Sequence, residues 1–234
     1  LATDFKETYF KEYHKKINAK YVLITHNSDL PIESDDLRYM DKKIKHWFAM
    51  KINVKMNENI SPLPAGLENL RYLHNGIVKN FVKTYKKESQ SEKNNKILCS
   101  FKEGTNKAER VPLLNIAKNN ESIDIKNFSN NLEYLSELAN YKYNLCPDGN
   151  HFESHRLWET LFFENIPILK KNTVNINFAN LGIPLVLLED WEELNEKNIQ
   201  TYLESKIINK FEDPRKFLFF DFWKDRIEKV KSSF

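Results

Sequence analysis

The segment Tyr141 to Lys170 reads YKYNLCPDGNHFESHRLWETLFFENIPILK and holds the densest set of polar groups with useful spacing in the chain. Pro147-Asp148-Gly149 forms a turn between a strand and a helix. Such a junction leaves free backbone N–H groups and the positive end of a helix dipole at one sheet edge, which suits an anionic phosphate. Asn150 stands three residues before Glu153, a capping-box variant that predicts a helix from about Asn150 to Glu164. Arg156 and Glu159 are three apart and so share a helix face. Leu157, Trp158, Leu161 and Phe162 supply the apolar face, and Asn165 is a suitable left-handed terminator. The plain alternative is that Arg156 and Glu159 form a surface ion pair worth less than about 1 kcal/mol.

Two further groups stand where strands end. His26-Asn27-Ser28-Asp29 follows the β-branched run Tyr21 to Thr25 and places an imidazole and a carboxylate at its C-terminal edge; alternatively Asn27 or Asp29 caps the following turn. Gly104-Thr105-Asn106 turns the chain after the apolar run Lys96 to Phe101, with Thr105 as the expected N-cap of a helix carrying Arg110. His151 and His155 have no partners at metal-ligand spacing, so no metal site is expected. Cys99 and Cys146 lie far apart in apolar runs and read as reduced, buried thiols, in keeping with a cytoplasmic setting.

The elements that must position these groups alternate. Helical spacing over residues 5 to 18 precedes strands at 21 to 25, 47 to 50 and 60 to 66, with helical character over 34 to 44 and 70 to 85. After the hydrophilic stretch Lys86 to Asn95 come strands at 96 to 101, 141 to 146, 166 to 169 and 185 to 188, with helices between and after them. This pattern predicts an α/β fold with parallel sheets and helical crossovers. It divides the chain into a first lobe (1–90), a second lobe (91–212) and a C-terminal helix (213–234). Phe217, Phe220, Trp223, Ile227 and Val230 form one stripe on that helix, which packs back across the lobes or, alternatively, makes peripheral contact with a membrane.

Composition narrows the classes. A net charge of +3 over 234 residues, with cations spread among Asp and Glu, announces no nucleic-acid-binding surface. The apolar runs fall far short of the roughly 20 residues that span a bilayer, and the opening residues lack the pattern of a secretory signal. Five glycines and six arginines make each such position informative.

Cys146, Pro147, Gly149, Asn150, His155, Arg156, Trp158, Glu159, Leu161, Ile166 and Pro167 together resemble the signature of exostosin-like glycosyltransferases. The departures are Thr160, where Ala is usual, and Glu164-Asn165, where Gly is common. The match is closest over 141–170 and runs more loosely to Asp190-Trp191; Thr25 to Asp29 and Pro64 to Leu67 resemble the family's N-terminal lobe less specifically. The resemblance implies a GT-B-like architecture, two Rossmann-like lobes facing a cleft with the first lobe reduced. The second lobe would hold a nucleotide-diphosphate sugar donor as co-substrate and the first a glycan acceptor, with inverting transfer, no resident cofactor and no metal. The sequence carries no convincing Asp-x-Asp motif; Ser34-Asp35-Asp36 reads as a helix start. Arg156 would grip the diphosphate through a fork that Lys lacks, and Glu159 would accept the ribose hydroxyls. Gly149, Asn150, His155 and Asp148 would complete the donor site, with Arg110 and Thr105 beside it. Asp29 or His26 would be the general base. The alternative is a non-catalytic glycan- or nucleotide-binding module.

Overall fold

The computed structural model describes residues 1–70, 72, 75–150, 152–209 and 213–234. Two parallel sheets dominate it. The first has the order β1 (Tyr21–Thr25), β2 (Ile44–Met50), β3 (Ile60–Leu63), all parallel, and is preceded by helical turns over residues 3–16 that include the single turn α1 (Lys6–Thr8). β2 is apolar almost throughout because both of its faces are covered, as a central parallel strand requires. Trp47 and Ala49 face a core with Phe10, Ile32, Ile52 and Ile60, whereas Phe48 faces the opposite side.

The second sheet follows α2 (Val78–Glu88) and has the order β5-β4-β6-β7-β8-β9. Its strands are β4 (Asn94–Cys99), β5 (Ile123–Ile125), β6 (Tyr141–Leu145), β7 (Ile166–Lys170), β8 (Leu185–Leu188) and the antiparallel edge β9 (Ile207–Ile208). The crossovers are α3 (Lys107–Lys118), α4 (Asn131–Ala139), α5 (His155–Phe162) and α6 (Thr173–Asn180), and α7 (Ile199–Lys206) leads into β9. Counted within this lobe, the parallel strands run 2-1-3-4-5, a doubly wound, Rossmann-like α/β arrangement. The period-2 alternation sorts the side chains by face. Ile97, Cys99, Leu145, Ile168 and Val186 pack on α3 and α7, while Leu98, Cys146, Leu169 and Leu185 face the layer that contains α2, α4, α5 and α6.

The chain changes sheets before α2, not along the hydrophilic stretch 86–95. Phe81 of α2 is fully buried among Leu98, Leu135, Leu138 and Phe163, so α2 belongs to the second sheet's layers and the hydrophilic stretch only joins α2 to β4. Residues 71, 73 and 74 of the expected helix over 70–85 lie outside the described residues. β5 and α6, each short, answer to no sequence expectation.

The C-terminal helix α8 (Phe220–Lys231) lies against β1 and β2. Trp223 is buried beside Phe48, Phe217 and Trp158, with Phe222, Ile227 and Val230 around it. Phe220, expected on the buried stripe, is 75% exposed, and Phe222 packs in its stead. Among the described residues no helix is long and apolar enough to cross a membrane.

Both sheets share the core that contains Phe48, Leu63, Trp158, Phe178 and Trp223. A polar pin reinforces it: buried Asn177 on α6 donates from Nδ2 to the carbonyls of Ile52 (3.1 Å) and Val54 (2.8 Å) and accepts from the Met56 N–H at 3.0 Å. An apolar residue of the same size strands three backbone groups, and each buried orphan costs about 1–3 kcal/mol. Asn177→Leu is therefore expected to lower unfolding free energy by about 3 kcal/mol or more in urea titrations.

Candidate functional site

In a 2-1-3-4-5 sheet the chain leaves β4 towards β5 on one side and returns to β6 on the other, which opens a crevice at the C-terminal ends of β4 and β6. The first sheet's C-terminal edge faces the same crevice. Together they form a cleft of about 1190 Å³. His26, Asp29, Lys51, Ala65 and Glu68 line it from the first sheet; Ser100, Phe101, Thr105, Arg110, Tyr134, Gly149, Asn150, Glu153, His155, Arg156 and Glu159 line it from the second.

Arg110 and Arg156 are its dominant charges. Arg110 is 4% exposed and donates from Nε to the Asp148 carbonyl (2.9 Å) and from Nη1 to the Lys102 carbonyl (2.8 Å), tying together the loops that leave β4 and β6. Its cation stands over the Phe101 ring at 5.6 Å. Burial, together with the neighbouring Arg156 cation, pushes its pKa down to about 10. Arg156 lies over the Tyr134 ring at 5.9 Å, and its buried Nε has no protein partner. Burial works against its charge, but Tyr134 and Glu159 more than offset this and hold its pKa above the ordinary value. Among the described residues neither guanidinium has a carboxylate ion pair.

Glu159 is buried on the next turn of α5 and accepts the Tyr134 hydroxyl at Oε2 (2.7 Å). The surface ion pair between Arg156 and Glu159 that the spacing also allowed is not formed. Burial first, and then Glu159, raise the Tyr134 pKa far above its usual value, so the phenol stays a neutral donor.

The strand-to-helix junction differs from the expected one. α5 begins at His155 with Ser154 at its N-cap, so Asn150 does not cap it, and residues 149, 150 and 152–154 lie outside the helix. Glu153, expected as a capping partner, instead takes a left-handed conformation (φ 73°). It is 4% exposed, and its Oε1 accepts from the Trp158 indole (2.6 Å) and from the Ala65 N–H of the first lobe (2.7 Å). Burial pushes its carboxyl up to about 7, against those two hydrogen bonds and the charges of Lys51 and His155. Glu164, not Asn165, takes the left-handed position after α5 (φ 57°). Asn165 is buried, donates to the Leu138 carbonyl and accepts from Lys93.

Asp148 does not line the cleft. Its carboxylate accepts from Asn172 (3.1 Å) and from the Glu153 N–H (3.4 Å), and burial, followed by the Glu109 charge, pushes its pKa up to about 7. It shapes the loop and lies behind the site. Thr105 lines the cleft, but Asn106, not Thr105, is the N-cap of α3. Gly149 lies in the wall without positive φ; the glycines that take one are Gly66 (φ 70°) and Gly182 (φ 94°).

On the first-lobe side, His26 Nε2 lies 2.8 Å from the Pro64 carbonyl. A carbonyl only accepts, so Nε2 carries the proton and Nδ1 is the basic nitrogen. Asp29 binds Lys51 (2.6 Å) through Oδ1 and Asn150 (3.4 Å) through Oδ2, which links the lobes across the cleft. His155 makes a second link, donating from Nδ1 to the Gly66 carbonyl at 2.7 Å, with Nε2 3.5 Å from Glu68. His151 lies outside the described residues. Both cysteines are free and buried, and burial pushes each thiol up to about 12. Among the described residues no group of three or more His, Cys, Asp or Glu side chains is placed to hold a metal ion.

Sequence reasoning brought Arg110, Arg156, Glu159, His155, His26 and Asp29 to one place. It missed Tyr134, Lys51 and the role of Glu153. Tyr134 sits in a helix that reads as merely amphipathic, and only the position of Glu153, three residues before Arg156, hinted at the site. No protein-family model matches the chain, and neither does any curated protein.

The raised carboxyl values carry a stability consequence. The folded state holds protons on Glu153 and Asp148 that the unfolded chain releases at lower pH. Unfolding free energy therefore falls as pH rises from about 5 to 7, by about 1.4 kcal/mol per pH unit for each group. Chemical denaturation across this range is expected to show Glu153→Gln losing about one such slope relative to the parent.

Proposed function

We propose that the chain is a glycosyltransferase that moves a sugar from a nucleoside-diphosphate donor to a hydroxyl of a glycan acceptor. The observation that carries this reading is the pair Arg110 and Arg156, two cleft-lining cations without carboxylate partners at the switch point of a doubly wound sheet. Two guanidiniums without direct ion pairs at one sheet edge repel each other, an anion that joins them relieves this, and their planar forks match diphosphate oxygens. Glu159, with Oε2 held by Tyr134, offers Oε1 to vicinal ribose hydroxyls. Gly149 lets the loop backbone approach the phosphates closely.

In the proposed reaction the acceptor lies between the lobes, beside His26 and Asp29. The leaving diphosphate gathers negative charge in the transition state, and Arg110 and Arg156 stand preorganised to take it. The transfer so drawn needs no metal, because these cations supply the neutralising charge. The resemblance over 141–170 supports the same architecture, a GT-B-like pair of lobes with an exostosin-like donor site. The first sheet's three strands favour a second reading, a nucleotide- or glycan-binding module without turnover.

Nucleoside diphosphates are expected to raise the melting temperature, because a ligand that binds the native state stabilises it by mass action. A screen of UDP, GDP, TDP and CDP identifies the base. Arg156→Gln is expected to weaken the preferred diphosphate by about 10- to 100-fold, the worth of a charge-assisted contact. The same variant without ligand should melt somewhat lower than the parent, because Tyr134 and Glu159 stabilise the Arg156 charge in the fold. Failure of all four diphosphates to bind, or unchanged affinity in Arg156→Gln, overturns the reading. Binding without hydrolysis or transfer from any nucleotide sugar leaves the non-catalytic module.

A further inference from the structure

We propose that Glu153 is the general base of the transfer, a role that rests on the glycosyltransferase reading above. Its carboxyl lies in the cleft wall at the junction of the two lobes, three residues before Arg156. Oε1 is committed, bound to the Trp158 indole and to the Ala65 N–H of the first lobe. Oε2 is buried and has no protein hydrogen-bond partner. A carboxylate held rigidly through one oxygen, with its other oxygen buried and unspent in the wall of a ligand cleft, is arranged to take a proton from something the protein does not contain.

The backbone supports the same assignment. A glutamate at φ 73° is strained, and a left-handed conformation at a non-glycine residue persists only where the surroundings over-determine it. Here Trp158, Ala65 and the Asp148 carboxylate, which accepts the Glu153 N–H, fix it.

The charged groups around Glu153 come from four elements. Lys51 follows β2, Asp148 follows β6, His155 opens α5, and Glu68, 3.5 Å from His155, follows β3. Burial outweighs the opposing pull of Lys51 and His155, and a carboxyl that titrates near 7 is ionised enough to act at neutral pH yet basic enough to accept a proton. Asp29 is already engaged by Lys51 and Asn150, and the His26 ring is anchored to the Pro64 carbonyl.

In the step, the acceptor oxygen forms its bond to the anomeric carbon as the bond from that carbon to the β-phosphate oxygen breaks. The breaking pair leaves on the nucleoside diphosphate, between Arg110 and Arg156. The acceptor's proton passes to Glu153 and then to water, and the anomeric configuration inverts.

Glu153→Gln tests this, because the amide oxygen can keep both hydrogen bonds of Oε1 while the basic oxygen is lost. With the parent's nucleotide sugar, kcat is expected to fall at least about 100-fold while affinity for the nucleoside diphosphate stays within about twofold. The parent's kcat/KM should rise with pH along a limb centred near 7. That limb should vanish in Glu153→Gln and persist in His26→Asn, whatever the latter does to KM. If the Gln variant does not fold, Glu153→Asp, which retracts the carboxyl, should lower kcat and displace the limb. Undiminished kcat in Glu153→Gln, or a limb lost in His26→Asn and kept in Glu153→Gln, overturns the assignment and leaves the transferase reading standing. A parent that binds the diphosphate but transfers nothing overturns both.

Discussion

The indole of Trp158 holds the two halves of the molecule to one another. It is completely buried, meets Phe178 edge-on at 5.2 Å and 87°, and shares its apolar cluster with Phe48 and Leu63 of the first sheet and Trp223 of the last helix. Its one polar atom donates to Glu153, and the same carboxylate oxygen accepts Ala65 N–H from the end of β3. Buried indole N–H groups require a partner, and here that requirement draws a carboxyl into the junction between lobes. The position of the cleft, the bend of the loop after β6 and the raised proton affinity of Glu153 follow from this contact.

Electrostatics and backbone strain are concentrated on the same surface. Arg110 spends two of its donors on loop carbonyls and so fixes the mouth of the switch point, while Arg156 is held close by over the Tyr134 ring without a direct ion pair. Left-handed residues follow the strands that end at the cleft: Asn27 after β1, Lys51 after β2, Gly66 after β3 and Glu153 in the loop after β6. Only one of the four is a glycine. In a chain with five glycines, the tight exits from the strands are made by residues that bring cleft-lining side chains with them. The stability forgone in such conformations, on the order of 1 kcal/mol or more each, is the familiar cost of a preorganised site.

Much of this was legible in the sequence, and the exceptions share a cause. Strands such as Ile166–Lys170 and Leu185–Leu188 are dense apolar runs bounded by turn residues, and their burial on both faces leaves a strong local signal. The convergence of Arg156, Glu159, His26 and Asp29 followed from placing each at a strand's C-terminal end in a parallel sheet. What escaped depended on distant partners. α2 is polar enough to resemble a linker's neighbour, and only Phe81 and its contacts assign it to the second sheet. Asn150 and Glu153 have the spacing of a capping box, but the call of Trp158 and Ala65 on the Glu153 carboxyl outweighs a local cap. Asn106, rather than Thr105, leads α3 because helix ends shift by a residue at little energetic cost. Asn177 bears no local sign that its amide serves three backbone groups of the other lobe.

The docking of α8 on β1 and β2 ties the order of folding to the order of synthesis. Phe48 is made well before α8, yet the apolar face it belongs to is completed by Trp223, Ile227 and Val230 of that helix. Contacts between segments so distant in sequence form late and slowly. Larger chains ordinarily fold domain by domain as each is made, but here the first three strands cannot close their surface on their own. A nascent chain carries that open apolar face until α8 arrives, so the two sheets reach their native state together.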